Sequence, residues 1–261
     1  MQLIPLKLKL LHRGGDLVKQ LLDAAKEQGG LKSQDVLVIA SKAIATVNAE
    51  MVKLADVKPS KKALAMAKKT GQPPSLVEVV LREADVVLGM AKGAILTIKN
   101  GILCANAGVD RSNVPKGFAA LMPREPDREA EKIRMEIFKR TGVKVGVVIA
   151  DSNVKPLRLG TVGQAIGVAG MEPVVDRRGD LDLFGKPLKI TFQALGDQLA
   201  TAAQLLFGEG AERVPAVIVR GLRVKRTGGR SPKISPKKDL YKSVLKYRVA
   251  KNSGLRSFRR R

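Results

Sequence analysis

The stretch ILCANAGVDRSN, residues 102–113, decides how the chain is read. A short apolar run of Ile102, Leu103 and Cys104 passes into small residues and then into Asp110, Ser112 and Asn113. This is the pattern of a buried strand that delivers oxygen ligands to the mouth of a site. A second stretch repeats it, because 143–149 is apolar and empties into Asp151, Ser152 and Asn153. Two strands that each end on an aspartate beside hydroxyl and amide groups point to a hard-cation site, Mg²⁺ or Mn²⁺ holding phosphates. The other reading is a pair of Asx turns, in which Asp and Asn bond their own backbone at a strand end. The sequence leaves both open.

Working outward, ILTIK (95–99) and ILCAN (102–106) flank Asn100-Gly101. Asn-Gly between apolar runs predicts a hairpin, since both turn positions need positive φ, and its register is expected to present Asp110. Toward the N-terminus, 35–40 (DVLVIA) reads as a buried strand with Ser41 and Lys42 at its polar end, where ligands gather in α/β sheets. Residues 3–11 alternate Lys7 and Lys9 with leucines and read as a strand. Asp16 is placed to cap a helix that carries Leu17, Leu21 and Ala24 on one face. Helices are also expected over 60–69 and 75–83, divided by Gly71 and Pro73-Pro74. Another is expected over 128–140, with a stripe of Ile133, Ile137 and Phe138, ended by Gly142.

Past Asn153 the chain is glycine-rich, with Lys155 and Arg158 at its start and glycines at 160, 163, 167 and 170. Such glycines allow either close approach of backbone to a phosphate or tight packing between elements. The Gly-Lys-Ser/Thr ending of a Walker A loop is missing. Residues 174–190 form a charged, turn-rich insertion containing Asp176 and Asp182. A long helix over 193–207 follows, with Leu195, Leu199, Ala202 and Leu206 on its face, and stops at Gly208-Glu209-Gly210. Residues 214–219 form a last buried strand.

Composition bounds the chemistry. The 261 residues are 44% hydrophobic and 28% charged, ordinary for a folded chain, with no Trp and 3% aromatics. No run approaches the ~20 apolar residues of a membrane span, and the N-terminus lacks a secretory pattern, so a cytoplasmic protein is expected. A single cysteine, Cys104, excludes an internal disulfide or a cysteine zinc cage, and it reads as a small buried hydrophobe. A single histidine, His12, excludes a two-histidine zinc site and reads as structural. The chemistry therefore rests on carboxylates, hydroxyls, Lys/Arg and a bound metal. The formal charge of +24 is concentrated at the end: 223–261 holds fifteen Lys/Arg against Asp239 alone. That basic tail, with a short helix expected over 238–249, follows a main domain over 1–222. It reads as solvated or surface-docked, with weak nucleic-acid binding as the alternative.

The segments CANAGVDRSN, GVVIADSN, DLDLFGKPL and AAQLLFGEG, then VPAVIVRGL, resemble the coenzyme F420:L-glutamate ligases from about Asp35 to Leu222. The resemblance implies an α+β fold, an intertwined homodimer, and a GTP- and divalent-metal-dependent ligase. Such an enzyme joins L-glutamate to coenzyme F420-0 through a γ-glutamyl amide, by way of an acyl phosphate. The reaction needs metal ions and cationic groups around phosphates, and no histidine or cysteine. By position, Asp110, Asp151, Ser152 and Glu209 match the family's metal site, with Mg²⁺ or Mn²⁺, and K⁺, as the implied ions. Leu8, Lys9, Leu10, Ser41, Lys42, Thr46, Asn113, Phe207, Gly208 and Gly210 fall at nucleotide positions. Lys155, Arg158, Asp176 and Asp182 fall at substrate positions. The chain departs from the family where Thr46 stands for a nucleotide-binding lysine and Glu50 for an arginine, and where 154–158 reads VKPLR. Those departures keep open another carboxylated acceptor, folate-like, or a non-catalytic relative that binds nucleotide or RNA.

Overall fold

The computed structural model describes residues 1–234 and 238–241. Two compact units emerge, one of Met1–Lys53 with Asp110–Pro232, the other of Leu54–Val109 with the described residues from Lys233 on. The first opens with β1 (Gln2–Leu6), α1 (Leu17–Glu27), β2 (Val36–Ala40), α2 (Ser41–Val47) and β3 (Met51–Lys53). The second holds α3 (Lys61–Thr70), α4 (Pro74–Glu83), β4 (Val86–Ala91), β5 (Ala94–Lys99) and β6 (Ile102–Ala105). The chain then returns to the first unit for β7 (Phe118–Ala120), α5 (Pro126–Thr141), β8 (Gly146–Val154) and β9 (Thr161–Ala169). It closes with β10 (Val175–Asp176), β11 (Phe192–Gln193), α6 (Leu195–Phe207) and β12 (Ala216–Arg220). Helices and mixed sheets in this order make an α+β fold.

The main sheet runs β1-β12-β2-β8-β9, with β2 and β8 parallel and the other neighbours antiparallel. Val36, Val38, Val148, Ala150, Val217 and Val219 join Leu195, Leu199, Ala200 and Ala203 of α6 in one core. Alternate residues such as Leu37, Ile39, Val147, Ile149 and Ile218 are also fully buried, so the strands are covered on both faces. The pairing of β8 with β9 slips by one residue between Ile149 and Ala150. That bulge sends Gly163 and Ala165 to the α6 face and Gly167 to the opposite face, against the start of α5. A Cβ at Gly163 would stand 2.2 Å from the Ala200 carbonyl oxygen, and one at Gly167 would stand 2.4 Å from that of Pro126. These two glycines serve tight packing.

In the second unit α3 packs on α4 beside the antiparallel meander β4-β5-β6. Asn100 and Gly101 take φ of 51° and 74°, the turn that Asn-Gly predicts. Asp16 accepts the Lys19 amide at 2.9 Å and caps α1, and Ser60 accepts that of Ala63 at 3.2 Å and caps α3. Cys104 is buried and unoxidised, as a small hydrophobe.

Several expected boundaries move. The first strand ends at Leu6 rather than 11, and beyond it the Leu8 amide reaches the Arg213 carbonyl at 3.0 Å outside the ladder. The β6 strand stops at Ala105, and a 3₁₀ turn (Asn106–Gly108) intervenes before Asp110. Asp110 is instead set by two backbone hydrogen bonds with Ala120, of 3.1 and 2.8 Å, so the hairpin does not present it. The other aspartate does not end its strand either, since β8 runs on through Asp151 to Val154 while still paired to β9. Phe138, placed on the apolar stripe of α5, is 38% exposed. The buried line of α6 passes through Ala200 and Ala203 rather than Ala202. The helix expected over 238–249 lies, apart from 238–241, outside the described residues. The start of the basic segment packs on the first unit, with Val224 buried and Ser231 bonded to both oxygens of Asp127. No helix among the described residues is long and apolar enough to cross a membrane.

Candidate functional site

The site forms where β2 gives way to α2. Up to Ala40 and Ala150, β2 and β8 run side by side. One residue further, β2 turns into a helix while β8 continues, so Ser41 and Asp151 face each other across the gap. The Ser41 hydroxyl, buried on α2's first turn, donates to Asp151 Oδ1 at 2.5 Å. Burial pushes the Asp151 carboxyl up. The Ser41 hydrogen bond and the Lys42 charge pull it down, Asp110 pushes it further up, and the net direction is upward.

Lys42 reaches the other aspartate. Its Nζ donates to Asp110 Oδ2 at 2.7 Å and to Ser112 Oγ at 2.6 Å. The Ser112 amide closes an Asx turn on Asp110 Oδ1 at 2.9 Å, and the Ser112 hydroxyl donates to Oδ2 at 2.7 Å. Burial alone would raise the Asp110 carboxyl, but the Lys42 and Ser112 hydrogen bonds outweigh it and hold it below the ordinary value. So the turn reading holds at Asp110, whereas Asp151 lies within a strand. Neither excludes a ligand role.

Beside this pair lies a cavity of about 830 Å³ lined by Leu8, Lys9, Leu10, Ser41, Lys42, Thr46, Asn113, Asp151, Ser152 and the 207–210 turn. Nine positions from four separate stretches thus share one wall with Phe207, Gly208, Glu209 and Gly210. Glu209 Oε1 accepts from Thr161 Oγ1 at 3.1 Å and from Gln204 Nε2 at 2.8 Å. The same amide donates to Ser152 Oγ at 3.0 Å, which ties the β8 strand to the turn after α6. Gly208 has φ of 68°, the left-handed region that glycine tolerates. Thr46 turns its hydroxyl back onto the Lys42 carbonyl at 2.7 Å, and the Glu50 carboxylate takes the Arg124 amide at 3.2 Å.

Five expected residues do not line this cavity, Asp110 among them, which touches it only through Lys42. Lys155 and Arg158 lie exposed in the turn between β8 and β9. Asp176 is held by Arg178 at 2.6 Å, which lowers its carboxyl to about 2. Asp182 accepts the amides of Phe184 and Lys186 and shapes the insertion's own turn. Sequence reasoning passed over Gln204, His12, Arg13 and Arg213, all on the cavity wall. Gln204 had a signal, as the single polar residue in the run AAQLLF just ahead of Glu209. Arg213 had none, since its place depends on a φ of 58° and on the Leu8 amide bonding its carbonyl at 3.0 Å.

The donors are hard oxygens, suited in kind to Mg²⁺ or Mn²⁺. Among the described residues, however, no three His, Cys, Asp or Glu side chains gather as a metal cage. At Asp110 the outer oxygen is already held by the Lys42 ammonium, which a divalent ion would have to displace. Beside Asp151 one carboxylate oxygen is held by Ser41, and Ser152 lies next along the strand.

A mixed sheet in which β2 ends on Ser41 and Lys42 beside Asp151 of β8, at a cavity lined also by Lys9, Arg13 and Arg213, defines an α+β protein with a cation-rimmed cavity. The family model for F420-0:gamma-glutamyl ligase matches residues 5–221. The coenzyme F420:L-glutamate ligase of Methanopyrus kandleri is 40% identical over 246 residues, covering 92% of this chain and 96% of that protein. The protein of the same name from Methanothermobacter thermautotrophicus is 40% identical over 85% of this chain and 91% of its own. That of Methanocaldococcus jannaschii is 42% identical over 84% and 88%. This chain belongs to the F420-0:gamma-glutamyl ligase family.

Proposed function

We propose that the protein is an acid–amino-acid ligase that joins L-glutamate to coenzyme F420-0 through a γ-glutamyl amide, using GTP and a divalent metal, by way of an acyl phosphate. The observation that carries this reading is the junction of β2 and α2, where Ser41 bonds Asp151 and Lys42 bonds Asp110, with Ser41, Lys42 and Asp151 on the cavity wall. A triphosphate needs positive charge and hydroxyl donors, and Lys9, Arg13, Lys42 and Arg213 supply the charge from the cavity wall. Leu8, Leu10 and Phe207 offer an apolar surface for the base, with Asn113 as its polar partner. Mg²⁺ or Mn²⁺ beside Asp151 and Ser152, with Glu209 as a third oxygen donor and K⁺ as an accessory ion, would neutralise phosphate oxygens. Lys155, Arg158, Asp176 and Asp182 remain candidates for contacts with the acceptor and glutamate. The enzyme acts in the cytoplasm as a homodimer. The exposed side chains of Leu157, Leu159, Leu183, Phe184 and Ile190 support that assembly.

The test is a ligation assay with F420-0, L-glutamate, GTP and Mn²⁺, read by product mass. The expected result is a gain of one glutamyl unit that falls at least about a hundredfold in Asp151→Asn, the scale of removing a group that acts on transition-state charge. GTP binding without product would replace F420-0 by another carboxylated acceptor. Neither binding nor product would overturn the ligase reading.

A further inference from the structure

The Lys42 ammonium touches two oxygens that both belong to the Asp110 turn, at 2.7 and 2.6 Å. Both carboxylate oxygens of Asp110 are thereby engaged, Oδ1 by the Ser112 amide and Oδ2 by Lys42 and the Ser112 hydroxyl. This is the geometry a hard cation makes with a carboxylate and a neighbouring hydroxyl, with nitrogen in place of the metal. We propose that Lys42 is a tethered cation that takes the place of a divalent ion at Asp110. The proposal rests on the reading of Asp110 and Asp151 as the cation side of a phosphate site.

Three features support it. Lys42 adjoins Ser41, whose hydroxyl holds Asp151, so one turn of α2 reaches both aspartates and fixes their spacing. Lys42 also lines the cavity, so its charge is presented to a bound anion rather than spent in the interior. A lysine is a compact point charge with three donors, and two are used here, leaving one for a phosphate oxygen. A divalent ion entering the Asp110 shell would have to meet this ammonium within a few ångströms, and like charges at that distance repel strongly at the edge of a protein. The chain therefore carries one of its cations covalently and needs fewer from solution.

The experiment counts Mn²⁺ bound to the full chain without nucleotide, by the paramagnetic resonance of free Mn²⁺. Lys42→Met should gain a further Mn²⁺ equivalent, or bind Mn²⁺ at least about tenfold tighter, and adding Asp110→Asn should abolish the gain. In the wild-type background Asp110→Asn should leave Mn²⁺ affinity within about twofold, a readout that needs no Lys42 variant to fold. An unchanged isotherm in Lys42→Met, or a large loss of Mn²⁺ binding from Asp110→Asn alone, overturns the proposal. The count needs no ligation, so a chain that fails to join glutamate to F420-0 still answers it.

Discussion

Asp35 is 2% exposed and its charge is answered by Arg220, which reaches its two oxygens at 3.0 and 2.8 Å. A third hydrogen bond, from Arg220 to the Gly30 carbonyl at 2.7 Å, ties the entry to β2 onto the end of β12. Removing one partner of such a pair strands the other charge away from water. Arg220→Met should therefore cost about 3–5 kcal/mol, read as a shift of the urea midpoint, whereas breaking an exposed pair such as Lys19–Asp23 should leave that midpoint nearly where it was. Gly163 sets a different kind of residue-scale limit. Its missing Cβ leaves room for the backbone of α6 at Ala200, and backbone cannot rotate aside as a side chain can. Gly163→Ala should lose about 1–3 kcal/mol of stability in the same measurement, with Gly89→Ala, which meets nothing within 4 Å, as the quiet control.

At the scale of elements, α3 and α4 are joined through one carboxylate. Glu78 of α4 accepts the Ser60 amide at 3.0 Å and the Ser60 hydroxyl, and it pairs with Arg82 at 2.9 Å. Those bonds pull its carboxyl from the ordinary 4.5 to about 2. A carboxylate lowered on folding stabilises the native state fully above its unfolded value, and that contribution fades as pH falls through its folded value. Glu78→Gln should thus cost most stability at pH 6–7 and progressively less toward about pH 2, as measured by denaturant titration across that range. The Asp16 cap and the Asn100-Gly101 turn were legible in the sequence, because each carries its own local chemistry. The two aspartates also stood out in the sequence, although neither ends its strand as the pattern implied. What lay out of reach came from partners distant in sequence. The run of β8 past Asp151 depends on β9, and the bulge that sorts Gly163 from Gly167 exists only in the paired strands. Arg13 and Arg213 reach the cavity for the same reason, as products of assembly rather than of local pattern.

At the scale of the whole molecule, the segment between β8 and α6 is unlike the rest of the first unit. Leu157, Leu159 and Leu183 are fully exposed, and Phe184 and Ile190 are 86% exposed each. Single exposed apolar residues are ordinary, but five large ones within 157–190 form surface that water disfavours, worth about 1.5–3 kcal/mol for each side chain that a partner fully covers. The turns held by Asp182 and by Arg178 on Asp176 carry Leu183 and Phe184 outward. The proposed homodimer covers them, and a second copy is the partner whose net charge of +24 opposes it unless apolar burial dominates. Sedimentation equilibrium of the wild type should therefore give twice the chain mass, with the dimer strengthened rather than weakened by added salt, since salt screens the repulsion and leaves the apolar contact. Leu159→Glu with Phe184→Glu should give the single-chain mass at micromolar concentration while the circular dichroism spectrum stays that of the wild type. A wild type that sediments as one chain, or a doubly substituted protein that still pairs, would remove this surface as the seat of assembly.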